Sequence, residues 1–372
     1  MKLESQQITN EIIGFIDKFP EGFPPEAEIH FNELALKLFT IQFQFNLPYK
    51  KYCQTKRKTP LTVKHWLDIP AIPIQGFKEL VLSAEPVERA EAVFMTSGTT
   101  NPNAKGKNYH PTLSVWDASM KGPFKRFVMP DCEQITMFVL SPAADLNQNS
   151  SLSRYLSNAV TYFGTENSRF FFNENGLDKE GLAEALREIE VRQEPVLLIG
   201  ATFAYVHLLD YLKEKNIRFK LVNGSRIFDT GGFKGQSREV EMDHLYFMFN
   251  EYFDVDRTMC INMYGMTELS SQIYDQTILS NYLTGRSVLD KTGPAWVKTV
   301  VLDPNTLEPV TNGETGVIAH YDLANWNSCL AILTEDIGYK TEEGFVLLGR
   351  VKGSEARGCS IAIDQLLQAN GK

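Results

Sequence analysis

Short apolar runs, each emptying into small or polar residues, recur along this chain and constrain its fold more than any other feature. Val93-Phe94-Met95 opens into Thr96-Ser97-Gly98-Thr99-Thr100, and QITMFVLS (134–141), PVLLIGAT (195–202), RIFDTGG (226–232) and MCINMYGMTE (259–268) repeat the pattern. PVLLIGAT leads into FAYVHLLDYLKEKN, whose apolar residues recur at helical spacing. Strand followed by helix, repeated, predicts an α/β domain whose sheet is at least partly parallel. Before this region, apolar positions from Ala27 to Tyr49 predict N-terminal helices. The segment LDIPAIPIQGFKEL reads as an extended connection, because Pro70 and Pro73 prevent helix and Gly76 permits a turn. From Lys298 onward the pattern changes to short extended pieces with the turn signals DPNT and TNGE, which predict hairpins. The expected division is therefore an α/β core with helical N-terminus over 1–297 and a small β-rich subdomain with C-terminal tail over 298–372.

Composition removes several classes of function. A net charge of −9 leaves no excess of cations to displace counterions from a phosphate backbone, so nucleic acid is not an expected partner. Five widely spaced cysteines without a CxxC pair suggest neither a disulfide framework nor a zinc site, and a reducing cytoplasm fits them best. No apolar run reaches the roughly 18 residues of a membrane span, so no transmembrane segment is expected, and the N-terminus lacks an uninterrupted signal-peptide core.

Two segments carry the chemistry. Thr96, Ser97, Thr99 and Thr100 offer hydroxyls, Gly98 lets backbone N–H groups turn toward an anion, and Lys105 with Lys107 adds positive charge. A triphosphate suits such a loop, although a solvated turn has the same composition and the Walker spacing is absent. In Ile261–Glu268, Tyr264 can stack on a purine, Gly265 allows close approach, Thr267 can bond a phosphate and Glu268 can hold Mg²⁺ through a hard oxygen. Taken singly, Tyr264 would more often be a packed aromatic and Glu268 a surface carboxylate.

Together these blocks resemble the adenylate-forming superfamily of acyl-CoA synthetases, firefly luciferase and phenylacetate-CoA ligases. Three more follow in the family's order. Asp229-Thr-Gly-Gly-Phe233 is similar to its adenine-lining strand, which implies that Gly231, Gly232 and Phe233 face the base. Thr334-Glu-Asp336 is similar to its Thr-x-Asp block, which implies that Asp336 takes the ribose hydroxyls. Gly349-Arg350 is similar to the segment before its hinge, which implies that Arg350 meets ribose or phosphate. The loop departs from the family pattern, with Asn101-Pro-Asn-Ala-Lys-Gly106 in place of Gly and Pro-Lys-Gly; Lys105 is the counterpart lysine. The implied fold is the large domain of an adenylate-forming enzyme, with N-terminal helices, mixed and parallel sheets and a small β-rich subdomain, lacking the usual C-terminal subdomain. All the named residues are expected around one bound ATP with Mg²⁺.

The length, Tyr52-Cys53, Asp68-Ile-Pro70 and the tail Arg357-Gly-Cys-Ser-Ile-Ala-Ile363 resemble the acyl-protein synthetase (LuxE type) of the bacterial fatty acid reductase complex. That resemblance implies ATP-dependent activation of a fatty acid and transfer of the acyl group to Cys359 for a partner acyl reductase of the LuxC type. A thiolate is well suited to capture an acyl-adenylate as a thioester, and Arg350, Lys352 and Arg357 are expected to favour the anion. The other reading of Cys359 is a small buried apolar residue, which is how Cys53, Cys132, Cys260 and Cys329 read. Alternatives for the whole chain are an acyl-CoA or acyl-carrier ligase and a noncatalytic nucleotide-binding scaffold. Phe138, Phe163, Phe170–Phe172, Phe203 and Tyr205 could line a tail pocket, though such clusters are usually core. His207 reads as packed, and His110 has no assigned role.

Overall fold

The computed structural model describes residues 2–20, 22, 24–96, 105–232, 237–350 and 357–372. The chain folds into two compact units, one of Pro123–Gly265 with Tyr274–Leu289, the other of Met1–Gly122 with Met266–Ile273 and Asp290–Lys372. Residues 298–372 thus share a unit with the N-terminal helices, and position 297/298 falls within it.

In the first unit, Cys260–Tyr264, Arg226–Thr230, Val196–Ala201, Thr136–Leu140 and Arg169–Phe170 pair in that order, all parallel. The strands Thr136–Leu140, Val196–Ala201 and Arg226–Thr230 are buried at every position, as in a parallel sheet covered on both faces, which explains the apolar runs of the first two, while the third buries Arg226, Asp229 and Thr230 as well. Helices Ser151–Phe163, Lys179–Arg192, Thr202–Lys215 and Met242–Phe253 make the connections. Ser150 and Asp178 cap the first two through Ser153 N–H and Gly181 N–H. Arg226, the first residue of its strand, is buried and donates two hydrogen bonds to Asp131, at 2.7 and 2.9 Å, and another to Val128 O.

In the second unit, Val297–Leu302, Thr315–Asp322, Ala331–Lys340 and Phe345–Arg350 pair successively antiparallel, and Ile72–Pro73 adds parallel to Ala331–Lys340. The DPNT and TNGE signals lie in one connection, between Leu302 and Thr315, so they form a single hairpin. The proline-rich connection contains that two-residue strand and one helical turn, Gly76–Glu79. Helices Pro25–Phe45 and Leu47–Thr55 clip onto the turn at 325–330 through buried amides. Gln42 donates to Asn325 O at 2.8 Å and accepts from Leu330 N–H at 2.9 Å, and Asn46 donates to Ser328 O at 2.9 Å.

Candidate active site

In the second unit, the stem of the Ser/Thr/Gly loop is an antiparallel ribbon of Ala92–Met95 with Lys107–His110. Thr96 and Gly106 close its neck: Thr96 N–H donates to Gly106 O at 3.0 Å, and Gly106 N–H donates to Thr96 Oγ1 at 2.9 Å. Ser97, Gly98, Thr99 and Thr100 lie outside the described residues, as does Phe233. Lys105 is exposed at the neck. A Cβ placed on Gly106 would lie 3.2 Å from Thr96 Cγ2, 3.3 Å from Glu268 Oε1 and 3.5 Å from Lys78 Cγ. The neck, the Glu268 carboxylate and the stem of Lys78 therefore converge on one point.

Glu268 is held from both sides. Asn108 Nδ2 donates to the backbone oxygens of Thr267 and Glu268, and Asn325 Nδ2 donates to Glu268 O at 3.1 Å. The following turn is fixed by buried Asp322, which accepts from Ser270 N–H, Ser271 N–H, Ser271 Oγ–H and Ala324 N–H at 2.8–3.2 Å. Burial pushes the Glu268 carboxyl up to about 7, with the charges of Lys78 and Arg350 opposing that rise and that of Glu335 adding to it. Burial likewise pushes Asp322 up to about 6 against its four donors.

Asp336 and Arg350 are register partners on neighbouring strands, and Arg350 Nε lies 3.3 Å from Asp336 Oδ1. Asp336 is buried and its N–H donates to Thr334 Oγ1, whereas Arg350 is exposed. On the strand position before Asp336, Glu335 accepts a hydrogen bond from Gln75 Nε2.

Cys359 lies in the first turn of helix Arg357–Ala369. Gly358 N–H donates to Pro304 O at 2.7 Å, and a Cβ there would meet Pro304 O at 2.6 Å, so only glycine permits the approach. Burial, with the Glu335 charge, pushes the Cys359 thiol up to about 11. This corrects the expectation of a thiol favoured as the anion by neighbouring cations. The acidic neighbour Glu335 is the charge that acts on the thiol, while Lys352 and the side chain of Arg357 lie outside the described residues.

In the first unit, the two base-side blocks stand together. Asn262 pairs with Asp229 and Met263 with Thr230, so Gly231 and Tyr264 continue side by side at the carboxyl ends of adjacent parallel strands. Such ends are where ligands bind in open α/β sheets. Gly231 has φ +74°, a left-handed conformation that suits glycine, and a Cβ on Gly232 would meet nothing within 4 Å. Tyr264 is half-buried and Gly265 exposed. Asp229 is internal scaffolding: Tyr246 OH, Asn262 Nδ2 and Thr202 Oγ1 all donate to it. Phe138, Phe171 and Tyr205 belong to the unit's core cluster. His207, expected to be packed, faces outward from its helix.

A family model described as acyl-protein synthetase, LuxE, matches residues 17–368. The chain belongs to the LuxE acyl-protein synthetase family. Relatives in that family include a long-chain-fatty-acid–luciferin-component ligase of Aliivibrio fischeri, 25% identical over 94% of this chain and 92% of its own length. A protein of the same name from Vibrio harveyi is 23% identical over 91% and 88%. Among solved structures, a 2-hydroxyisobutyryl-CoA ligase with 2-HIB-AMP and CoA superposes with TM-score 0.63 at 14% identity, over 87% of this chain and 65% of that one. ATP-bound MatB of Rhodopseudomonas palustris gives 0.50 at 16% identity over 72% of this chain, which spans about half of the MatB chain, 49%. The LuxE chain is thus a ligase on the adenylate-forming fold, as its motifs implied. Among the described residues no helix is long and apolar enough to cross a membrane.

Sequence reasoning missed Lys78, Gln75, Glu335, Asn108, Asn325 and Asp322. Glu335 is the variable position of the Thr-x-Asp block and the others sit in no recognisable block; Lys78, Gln75, Asn108, Asn325 and Asp322 reach the site through contacts between segments far apart in the chain.

Proposed function

We propose that this chain activates a fatty carboxylic acid with ATP and transfers the acyl group to a protein thiol, that of Cys359, for delivery to a partner acyl reductase. The observation that carries the reading is the convergence of the loop neck, Thr96 and Gly106, on the Glu268 carboxylate. In the first step a carboxylate oxygen bonds to the α-phosphorus of ATP while the bond to the β-phosphate breaks, and pyrophosphate leaves with the electron pair. In the second, the thiol sulfur bonds to the acyl carbon, AMP leaves, and the thiol proton passes to solvent.

Thr96 to Thr100 and Lys105 are assigned to the phosphates, Thr267 to a phosphate oxygen, Asp336 and Arg350 to the ribose side, and Gly231, Gly232, Phe233, Tyr264 and Gly265 to the base. Glu268 fits Mg²⁺, since it presents a hard oxygen from a buried carboxyl beside the loop neck, and Mg²⁺ sites commonly combine one or two carboxylates with substrate phosphates. When bound there, the ion would offset charge on the phosphates. The backbone of Glu268 is anchored by two amides, those of Asn108 and Asn325. The free thiols of Cys53, Cys132, Cys260, Cys329 and Cys359 fit a reducing, cytoplasmic setting.

The raised thiol of Cys359 favours a second reading, in which coenzyme A or a carrier thiol is the acceptor. One experiment separates the two. The protein is incubated with ATP, Mg²⁺ and labelled fatty acids, then divided for hydroxylamine treatment and mass mapping. A hydroxylamine-labile acyl group on Cys359 supports the first reading. A Cys359→Ala protein that still forms free acyl thioester supports the second, and absence of acid-dependent pyrophosphate exchange in the wild type sinks both.

A further inference from the structure

Lys78 lies in the single helical turn Gly76–Glu79, and that turn is fixed on several sides. Ile74 N–H donates to Leu333 O at 2.9 Å, extending the pairing of Ile72–Pro73 with Ile332–Leu333. The turn therefore hangs from the same strand that carries Glu335 and Asp336. Phe77 is buried, Gln75 donates to Glu335, and Gly76 packs so closely on Leu366 of the C-terminal helix that a Cβ would meet its Cδ2 at 2.8 Å. An exposed side chain on such a turn starts from a defined place. Its Cγ lies 3.5 Å from the point at Gly106 that Thr96 Cγ2 and Glu268 Oε1 also approach. Lys78 is exposed, and among the described residues no carboxylate forms an ion pair with it. A long amphipathic stem packed on the neck with a solvated ammonium is a common lysine arrangement.

We propose that Lys78 is a further catalytic residue, the cation that meets the anionic reactants, substrate carboxylate and α-phosphate, beside the loop neck. The proposal rests on the adenylation reading above. Joining two anions requires positive charge where they meet, and that charge acts most strongly when it is already in place as the bond to phosphorus forms. Arg350, the other cation acting on Glu268, is itself held at Asp336, whereas the stem of Lys78 approaches the same point at Gly106 as the Glu268 carboxylate.

The test uses the full chain with Lys78→Ala and Lys78→Arg, measuring fatty-acid-dependent ATP–pyrophosphate exchange, thermal midpoint and the division of the effect between kcat and KM. Lys78→Ala should lower kcat about 100-fold with an unchanged thermal midpoint, and Lys78→Arg should recover a substantial part of it. Exchange by Lys78→Ala within about twofold of wild type overturns the proposal and leaves the adenylation reading standing. If the alanine protein also loses thermal stability, the arginine protein decides: recovered stability with recovered exchange supports the role, and recovered stability without exchange overturns it. A wild-type protein that exchanges no pyrophosphate with any acid overturns both.

Discussion

Replacing Gly106 by alanine separates the stability of the loop neck from its chemistry. The backbone there lies outside the left-handed region, so alanine is conformationally allowed and by itself should stabilise the fold by about 0.4–1 kcal/mol through the unfolded chain. The new methyl, however, would sit 3.2 Å from Thr96 Cγ2 and 3.3 Å from Glu268 Oε1, a few tenths of an ångström too close to each. Thr96 cannot turn away freely, because its Oγ1 accepts the Gly106 N–H bond that closes the neck. Lys78 can yield, being exposed and contacted only through its stem. Glu268 must therefore move, and overpacking of this size costs about 1–3 kcal/mol.

The first term offsets only part of the second, which gives a net loss of about 1 kcal/mol and a fall in thermal midpoint of about 2 °C. Activity should suffer far more. A misplacement of about 1 Å in a reacting constellation costs about 100-fold, so a shift of a few tenths should lower acid-dependent pyrophosphate exchange about tenfold. The assay pairs exchange kinetics with thermal denaturation of the same preparation. Wild-type exchange in a Gly106→Ala protein of equal or higher midpoint would refute the reasoning, because it would mean that the Glu268 carboxylate has no working relation to the neck.

Other outcomes follow from the same geometry. Glu268→Gln keeps the size and the backbone anchors at Asn108 and Asn325 but removes the charge, so exchange should fall at least about 100-fold with little change in midpoint; retained exchange would dismiss Glu268 from the site. With its thiol pushed up to about 11, Cys359 should alkylate with iodoacetamide at pH 7.5 about two orders of magnitude more slowly than a free thiol of pKa near 8.5, and single-site mass mapping checks this. Asp322 is raised from 3.8 to about 6, so the folded protein takes up this proton before the unfolded one as pH falls. The stability it contributes is therefore full below about pH 4 and lost as pH rises through about 6, a change of up to about 3 kcal/mol. Denaturant titrations at pH 4.5 and pH 7 should show wild type losing stability relative to Asp322→Asn over that interval; an equal pH slope in both proteins contradicts it. Removing Asp131 should leave the buried Arg226 guanidinium short of two acceptors and cost about 3 kcal/mol, read by the same titration at pH 7.

The parts of this molecule legible in sequence are those whose physics is local. Strand Val196–Ala201 announces itself because burial on both faces demands an unbroken apolar run, whereas Arg226–Thr230 shows only Ile227-Phe228 between buried polar residues and is marked by the two glycines that follow it. The pairing of Gly231 with Tyr264 then follows from parallel register alone. Lys78 is illegible for the opposite reason. Its turn follows two prolines and looks like a connection, and it acquires a position only when Ile72 meets Ile332, a pairing that no nearby residue encodes. The turn at 325–330 shows the same limit, since its partners, Gln42 and Asn46, sit near the other end of the chain.

Cys359 shows how a local count can mislead about sign as well as magnitude. The basic residues along the tail, Arg350, Lys352 and Arg357, suggest an activated thiolate. In the fold, Gly358 is drawn against Pro304, which sinks the next residue partly out of water, and the charge acting there is Glu335 on a strand beside the helix. Desolvation and a like charge both favour the neutral thiol. A cysteine kept protonated in this way is protected from oxidation and from stray acyl donors. In the proposed transfer to Cys359, capture depends on the thiol being held where a strongly activated acyl carbon is formed, and the packing of the C-terminal helix on Gly76 would then be part of the chemistry.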